Sequence, residues 1–281
     1  MVGSFERTDE WSFECWFYQT ATKSCALASN MQSDATMRGW IVTLYTGRNI
    51  GMILSSDNSS SNFLGVRTAA SMYAFNSWNH VIFTYNGSIT PAGFKCYVNG
   101  SSKTLSTLGN SLTSTIKSNN DLLLGHSPVY PYLNGRLDEV VIYTRVLTQT
   151  EVNQRYNAGV GTSNLFGTTY SHYLLNETTN PIVIDAVGGR NGITIGSPTW
   201  GSGKIGNAVY LNGSSQYIIL QQPLLCWNYT AKYKNSNRLF KMNGSGKYPD
   251  QLTVPKSVDI NSGIMMDEGK LINSNQFKII Q

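Results

Sequence analysis

The residues of this chain that could do chemistry are few, and their spacing limits what they could do. Asp and Glu together number 16 in 281 residues. Hydrolysis of a glycosidic bond uses two carboxylates facing one cleft, about 5–10 Å apart. Alternate acids on one strand would meet that need, because side chains two residues apart share a face. No Glu-x-Asp-x-Glu arrangement occurs. Glu6, Asp9 and Glu10 have the wrong spacing, and the adjacent Asp138 and Glu139 are expected on opposite faces. His80, His126 and His172 are far apart, and no Gly-x-Ser-x-Gly elbow presents a nucleophilic serine. Cys15, Cys25, Cys96 and Cys226 form no Cys-x-x-Cys pair, so a zinc site has no support. All four read as thiols, with a Cys15–Cys96 bridge the one pairing left open. The expectation is a protein that is not an enzyme.

Binding chemistry has better candidates. Trp40, His126, Tyr130 and Tyr132 lie at or near expected loops. Exposed rings stack on sugar faces, so these four form a candidate carbohydrate platform. Packing in the core or at its rim is the competing reading. Asp138 stands in mid-strand within LDEVVIY. A carboxylate there is costly unless paired or metal-bound. Arg136 and Arg145 are its nearest partners in sequence. His80, two residues after Trp78 at the start of a strand, is expected to pack.

These side chains must be held by strands. Short alternating runs fill the first 145 residues: Ser12–Tyr18, Gly39–Tyr45, Asn62–Arg67, His80–Tyr85, Phe94–Val98, Asp121–Gly125 and Leu137–Tyr143. In the first run Phe13, Cys15 and Phe17 share one face, and Glu14, Trp16 and Tyr18 the other. Asn86-Gly87 and Asn99-Gly100 are turn signals, since both residue types tolerate positive φ. Thr148-Gln149-Thr150-Glu151 reads as a capping box, with Leu147 and Val152 as a hydrophobic staple, so 149–157 is predicted helical. After a linker, short strands are expected at His172–Leu175, Ile182–Ala186, Gly192–Ile195, Ala208–Leu211 and Gln216–Leu220. The fold class is all-β: an antiparallel β-sandwich with one short helix and an irregular C-terminal arm.

Four segments, in order, are similar to a known family. FERTDEWSFECWF, SWNHVIFTYNG, FKCYVNGS and LLLGHSP…LNGRLDEVVIYTRVLTQTEV resemble the laminin-G-like, concanavalin-A-like jelly-roll domains of the lectin/glucanase type. The resemblance implies strands ahead of FERTDEW that the first residues do not supply. HYLLNETTNPIVIDAVGGRNG…GKIGNAVYLNGSSQYIIL, within 172–220, is similar to that opening portion, so the order looks rotated. The expected organisation is 1–160 as the main sandwich, 161–171 as linker, 172–220 as completing strands by circular permutation or swapping, and 221–281 as an anchoring arm. Similar domains can use an acid near Asp138 to hold a structural Ca²⁺, which would need carbonyls around Asn212–Tyr217 to complete its oxygen shell. Calcium is the one cofactor to be weighed, against a pairing of Asp138 with a neighbour.

Composition frames the setting. Charged residues are 13%, and the net charge is +5. Residues 221–281 hold eight Lys/Arg against four Asp/Glu, but singly and without a run. Phosphate backbones are gripped by clustered cations, so nucleic acid is not an expected partner. No stretch approaches the ~20 apolar residues of a membrane span. The N-terminus has no apolar signal core. Low charge, abundant Asn, Ser, Thr and Gly, and a tail with little core point to a structural and adhesive virion protein of a bacteriophage: a head decoration, fibre or tail component. Its expected partners are other virion proteins through the arm, glycans, and further copies of itself in a homo-oligomer. The alternative is a secreted or cell-surface carbohydrate-binding module.

Overall fold

The computed structural model describes residues 2–33, 37–57 and 62–220 in full, and 230–234, 237–241, 266–267 and 270–271 as backbone strands. In chain order the elements are β1 (Glu10–Gln19), β2 (Cys25–Ser29), β3 (Gly39–Leu44), β4 (Ile50–Ser55), β5 (Phe63–Thr68), β6 (Trp78–Asn86), β7 (Phe94–Val98), β8 (Ser101–Lys103), β9 (Leu105–Asn110), β10 (Leu122–Leu124) and β11 (Asn134–Tyr143). Helix α1 (Gln149–Tyr156) follows, then β12 (Thr169–Tyr173), β13 (Ile182–Val183), β14 (Gly192–Ile195), β15 (Thr199–Ser202), β16 (Asn207–Asn212) and β17 (Tyr217–Leu220). These belong to one compact unit, Met1–Gln222. A second unit, Pro223–Gln281, contains the pairs β18 (Thr230–Lys234) with β19 (Asn237–Lys241) and β20 (Met266–Asp267) with β21 (Lys270–Leu271). The rest of the expected arm, including Cys226, lies outside the described residues.

Two antiparallel sheets make the first unit. The eight-stranded sheet runs β15-β16-β11-β1-β6-β7-β8, with β12 also on β11. The nine-stranded sheet runs β13-β14-β17-β10-β2-β3-β4-β5-β9. Strands after the helix enter both sheets: β16 and β12 pair along β11, and β17 pairs with β10.

Alternation in the sequence decides the core. Phe13, Cys15 and Phe17 of β1 point between the sheets, as do Trp40, Val42 and Leu44 of β3. Cys15, Cys25 and Cys96 are buried free thiols, so no Cys15–Cys96 bridge forms. β2 has a less legible sequence, CALAS, because all five residues are buried and no exposed polar face alternates with the inward one. The Asn99-Gly100 turn takes positive φ at both residues (51° and 77°), as a tight hairpin between β7 and β8 requires.

One irregularity places the acids. Opposite Cys15, β11 carries two residues, Glu139 and Val140: Glu14 pairs with Val141, but Trp16 pairs with Asp138. Glu139 takes a left-handed φ of 49° to make this bulge. Leu137, Val140 and Ile142 therefore enter the core, while Val141 and Tyr143 face outward under α1. Asp138, level with Trp16, and Glu139 both lie on the outer side. The expectation of opposite faces is corrected, because strict alternation fails at a bulge.

The capping box forms as read. Thr148 Oγ1 accepts from Glu151 N (3.3 Å), and Glu151 accepts from Thr148 N (2.8 Å). Leu147 and Val152 join Ile82, Tyr97, Val141 and Tyr143 in a separate apolar cluster between helix and sheet.

Candidate functional site

The four predicted platform rings divide in the structure. Trp40 is buried, packed 4.7 Å from Trp11 in ring-centroid distance, with its Nε1 donating to Gly3 O (2.6 Å). It is a core residue, which corrects the expectation: the β3 alternation turns it inward with Val42 and Leu44. The other three rings share the segment 126–132. Leu133 N donates to Gly125 O (2.8 Å), closing this loop, and Ser127 Oγ accepts from Tyr130 N (2.9 Å).

The loop lies on the outward face of the nine-stranded sheet. Val129 and Tyr130 pack on Ala26, Ile41 and Ile53, the residues that alternate with core positions. Tyr130 meets Tyr45 edge-on at 6.0 Å. His126 stacks on Tyr132 at 3.9 Å with 5° between planes, and Tyr217 of β17 closes on the pair at 4.9 and 5.9 Å. His126, Tyr130, Tyr132 and Tyr217 are each only partly buried. Desolvation holds the His126 pKa below its ordinary value, so the imidazole in this stack is neutral at pH 7. Tyr45 and Tyr217 are partners that sequence reading missed. Tyr217 was legible only once β17 was paired, since its ring faces outward by alternation with Ile218.

The acids form a different kind of cluster, beneath α1 on the outer face of the eight-stranded sheet. Arg155 Nε donates to Glu14 Oε1 (2.8 Å), and its Nη2 lies 3.6 Å from Glu139 Oε2. His80 Nε2 meets Glu14 Oε1 at 2.9 Å, and His172 Nε2 meets Glu139 Oε2 at 2.6 Å. The Tyr143 hydroxyl donates to Glu14 Oε2 (2.9 Å) and the Ser163 hydroxyl to Glu139 Oε1 (2.6 Å). Glu14, Glu139 and Arg155 have no exposed surface. Burial pushes the Glu14 carboxyl up, but Arg155 and His80 outweigh it and bring its pKa to about 2. All four carboxylate oxygens are hydrogen-bonded, and one guanidinium stands between the two acids. Such a cluster fixes the helix on the sheet; breaking a buried pair on one side costs about 3–5 kcal/mol.

Asp138 is beside this cluster but not in it. Its Oδ2 accepts from Lys204 N (2.7 Å) and Ile205 N (2.9 Å), while Oδ1 is buried without a hydrogen bond. Neither expected arginine reaches it. Arg145 makes a two-point pair with Glu151 (2.6 and 3.0 Å), and Arg136 lies between tyrosine rings. Two N–H donors occupy one oxygen, and the Asn212–Gln216 turn closes on itself: Asn212 Oδ1 accepts from Ser214 and Ser215, and Gln216 Oε1 from Asn212 N. Among the described residues no three His, Cys, Asp or Glu come together as a metal site.

Residues 2–153, more than half of the chain, match the family described as the Concanavalin A-like lectin/glucanases superfamily. The adhesion G-protein coupled receptor D1 of Homo sapiens is 31% identical over 108 residues, which are 38% of this chain and 12% of the receptor. Its Bos taurus counterpart is 30% identical over 103 residues, 37% of this chain and 11% of that one. The chain thus spans about a tenth of the length of the curated relatives it matches. A Bacteroides ovatus structure, of a protein to which carbohydrate binding is attributed, aligns with a TM-score of 0.46 at 17% identity over 67% of this chain and 52% of that one. The Ruminococcus gnavus IT-sialidase CBM40 bound to α2,3-sialyllactose aligns with a TM-score of 0.40 at 13% identity over 52% and 80%.

Proposed function

The chain belongs to the concanavalin A-like lectin/glucanase superfamily, and from that premise we propose that it is a glycan-binding domain without catalytic activity. The observation that carries this reading is the ring set of loop 126–132. Three part-exposed rings, with Tyr217, are held in fixed positions on the outward face of a sheet. Sugar rings present apolar C–H faces that stack on such side chains, and a rigid platform loses little entropy on binding. The state of the acids supports the non-catalytic part: Glu14 and Glu139 are buried, paired through Arg155 and turned away from solvent.

The test is a glycan array followed by titration calorimetry on the full chain. A neutral oligosaccharide found on the array is expected to lose about tenfold in affinity with Tyr132→Ala, the loss of one stacking partner. Unchanged binding by a folded Tyr132→Ala protein would remove this face from consideration.

The setting we propose is the surface of a virion, with residues 221–281 as anchor and other virion proteins as partners. Low charge and abundant Asn, Ser, Thr and Gly support it. A secreted or cell-surface module is the second reading, favoured by the likeness to receptors named for adhesion. Light scattering separates them: the virion reading expects homo-oligomers of the full chain, the module reading a monodisperse monomer.

A further inference from the structure

Among the described residues, the outer face of the eight-stranded sheet is covered over one half only. Helix α1 and the acid cluster fill the half around Glu14, Ile82 and Val141. The other half carries a row of side chains in strict cross-strand register. Trp78 of β6 is opposite Tyr18 of β1, Tyr18 opposite Arg136 of β11, Arg136 opposite Tyr210 of β16, and Tyr210 opposite Thr199 of β15. The guanidinium carbon of Arg136 lies 4.6 Å from the Tyr18 ring centre and 4.1 Å from that of Tyr210. Trp78 meets Tyr18 edge-on at 5.8 Å, and the Tyr210 hydroxyl is tied to Ser202 O (2.9 Å). All four side chains are part-exposed.

Arg136 is the unusual member. Every other arginine clamped in this unit's polar clusters has an acid or a carbonyl: Arg155 has Glu14, Arg145 has Glu151, Arg190 has Tyr170 O. Among the described residues the Arg136 guanidinium makes no hydrogen bond and no ion pair; its contacts are the two rings. Rings on both faces fix the plane and strip water from it, but leave the N–H edge free. A guanidinium so held is set for two parallel hydrogen bonds to a carboxylate, at little further cost in side-chain entropy. The field around it suits an anion. The Lys204 ammonium sits 4.8 Å from the Trp16 ring, one row along the same face. Asp138, two residues along β11, is buried and turned to the 204–205 backbone.

We propose that this row is a second ligand site, specific for a sugar bearing a carboxylate, with Arg136 binding the acid group and Tyr18, Trp78 and Tyr210 flanking the sugar ring. For the class of ligand it rests on the glycan-binding reading; for its chemistry and its face it is separate from loop 126–132.

The experiment is calorimetry of the full chain with tri-galacturonate, a glucuronate tetrasaccharide and a sialylated trisaccharide, each beside its carboxyl methyl ester, which removes the charge and adds one methyl group per acid. At least one free acid is expected to bind about tenfold or more tightly than its ester, as losing a charge-assisted pair implies. Added salt weakens that binding. Arg136→Lys keeps the charge and stem but loses the fork, and is expected to reduce affinity about tenfold with an unchanged melting temperature. Tyr132→Ala leaves the acid-dependent binding unaltered. Equal affinity for acid and ester across the panel, no binding of any of the three acids, or acid binding lost with Tyr132→Ala and kept in Arg136→Lys would each overturn the proposal. Failure of the glycan-binding reading shows separately, as loss of neutral-sugar binding at the loop platform.

Discussion

Two carboxylates show how the same residue type is driven in opposite directions by its neighbours. Glu14 is held at about 2 because Arg155 and His80 outweigh its burial. Asp138 is pushed up to about 7, since burial and the nearby Glu139 charge outweigh its hydrogen bonds from backbone N–H groups. The signs differ accordingly. Glu14, lowered from 4.5, contributes stability above pH 4.5 that is lost as pH falls toward 2. Asp138, raised from 3.8, contributes stability below pH 3.8 that is lost as pH rises through 7. Asp138→Asn keeps an acceptor for Lys204 and Ile205 and removes the charge. It is expected to raise the melting temperature at pH 8 and change it little at pH 4; a uniform shift across that range, followed by thermal denaturation, would contradict the assignment. His126, lowered by burial, adds a small rise in stability with pH below its ordinary 6.5, since the unfolded chain holds that proton longer.

At the scale of elements, α1 is short and gains its stability from its ends and its buried face. Its eight residues include two that are buried, Val152 and Arg155. An isolated helix of this length is marginal in water. The capping box satisfies N–H groups that would otherwise be orphaned, and Glu151 also holds Arg145 in a two-point pair. Thr148→Ala is expected to cost about 1 kcal/mol in chemical denaturation. The signal for α1 was local, so the sequence displayed it fully. The bulge on β11 was not legible: nothing in Asp138-Glu139 announces a left-handed residue, and the extra residue exists only relative to Cys15 on the partner strand.

For the whole molecule, the decisive pairings join residues far apart in the chain. β11 has β1 on one side and shares its other side between β16 and β12; β10 lies between β2 and β17. A chain ending at residue 160 would expose the free edges of β11 and β10 and the apolar faces of Val140, Ile142 and Leu124. Open edges of this kind seed association. Such a fragment is expected to aggregate or remain unfolded, by circular dichroism and size-exclusion chromatography, and recovery on adding residues 161–222 as a separate peptide would show the interface directly. A soluble, cooperatively melting 1–160 fragment would contradict the role given to these strands.

The residues alone determined the class of fold, most strand positions, the inward faces of β1 and β3, and the capped helix, because periodicity and capping are properties of neighbours in sequence. They also excluded a regular pair of acids on one strand. What tertiary structure decided was which side chains meet. It buried Trp40, drew Tyr45 and Tyr217 to the loop rings, gathered Glu14, Glu139, His80, His172 and Arg155 under one helix, and set Arg136 between two tyrosines. Each of those meetings depends on the register between strands tens of residues apart, and register is fixed by the closing of the two sheets over one core, which no local window of the chain contains.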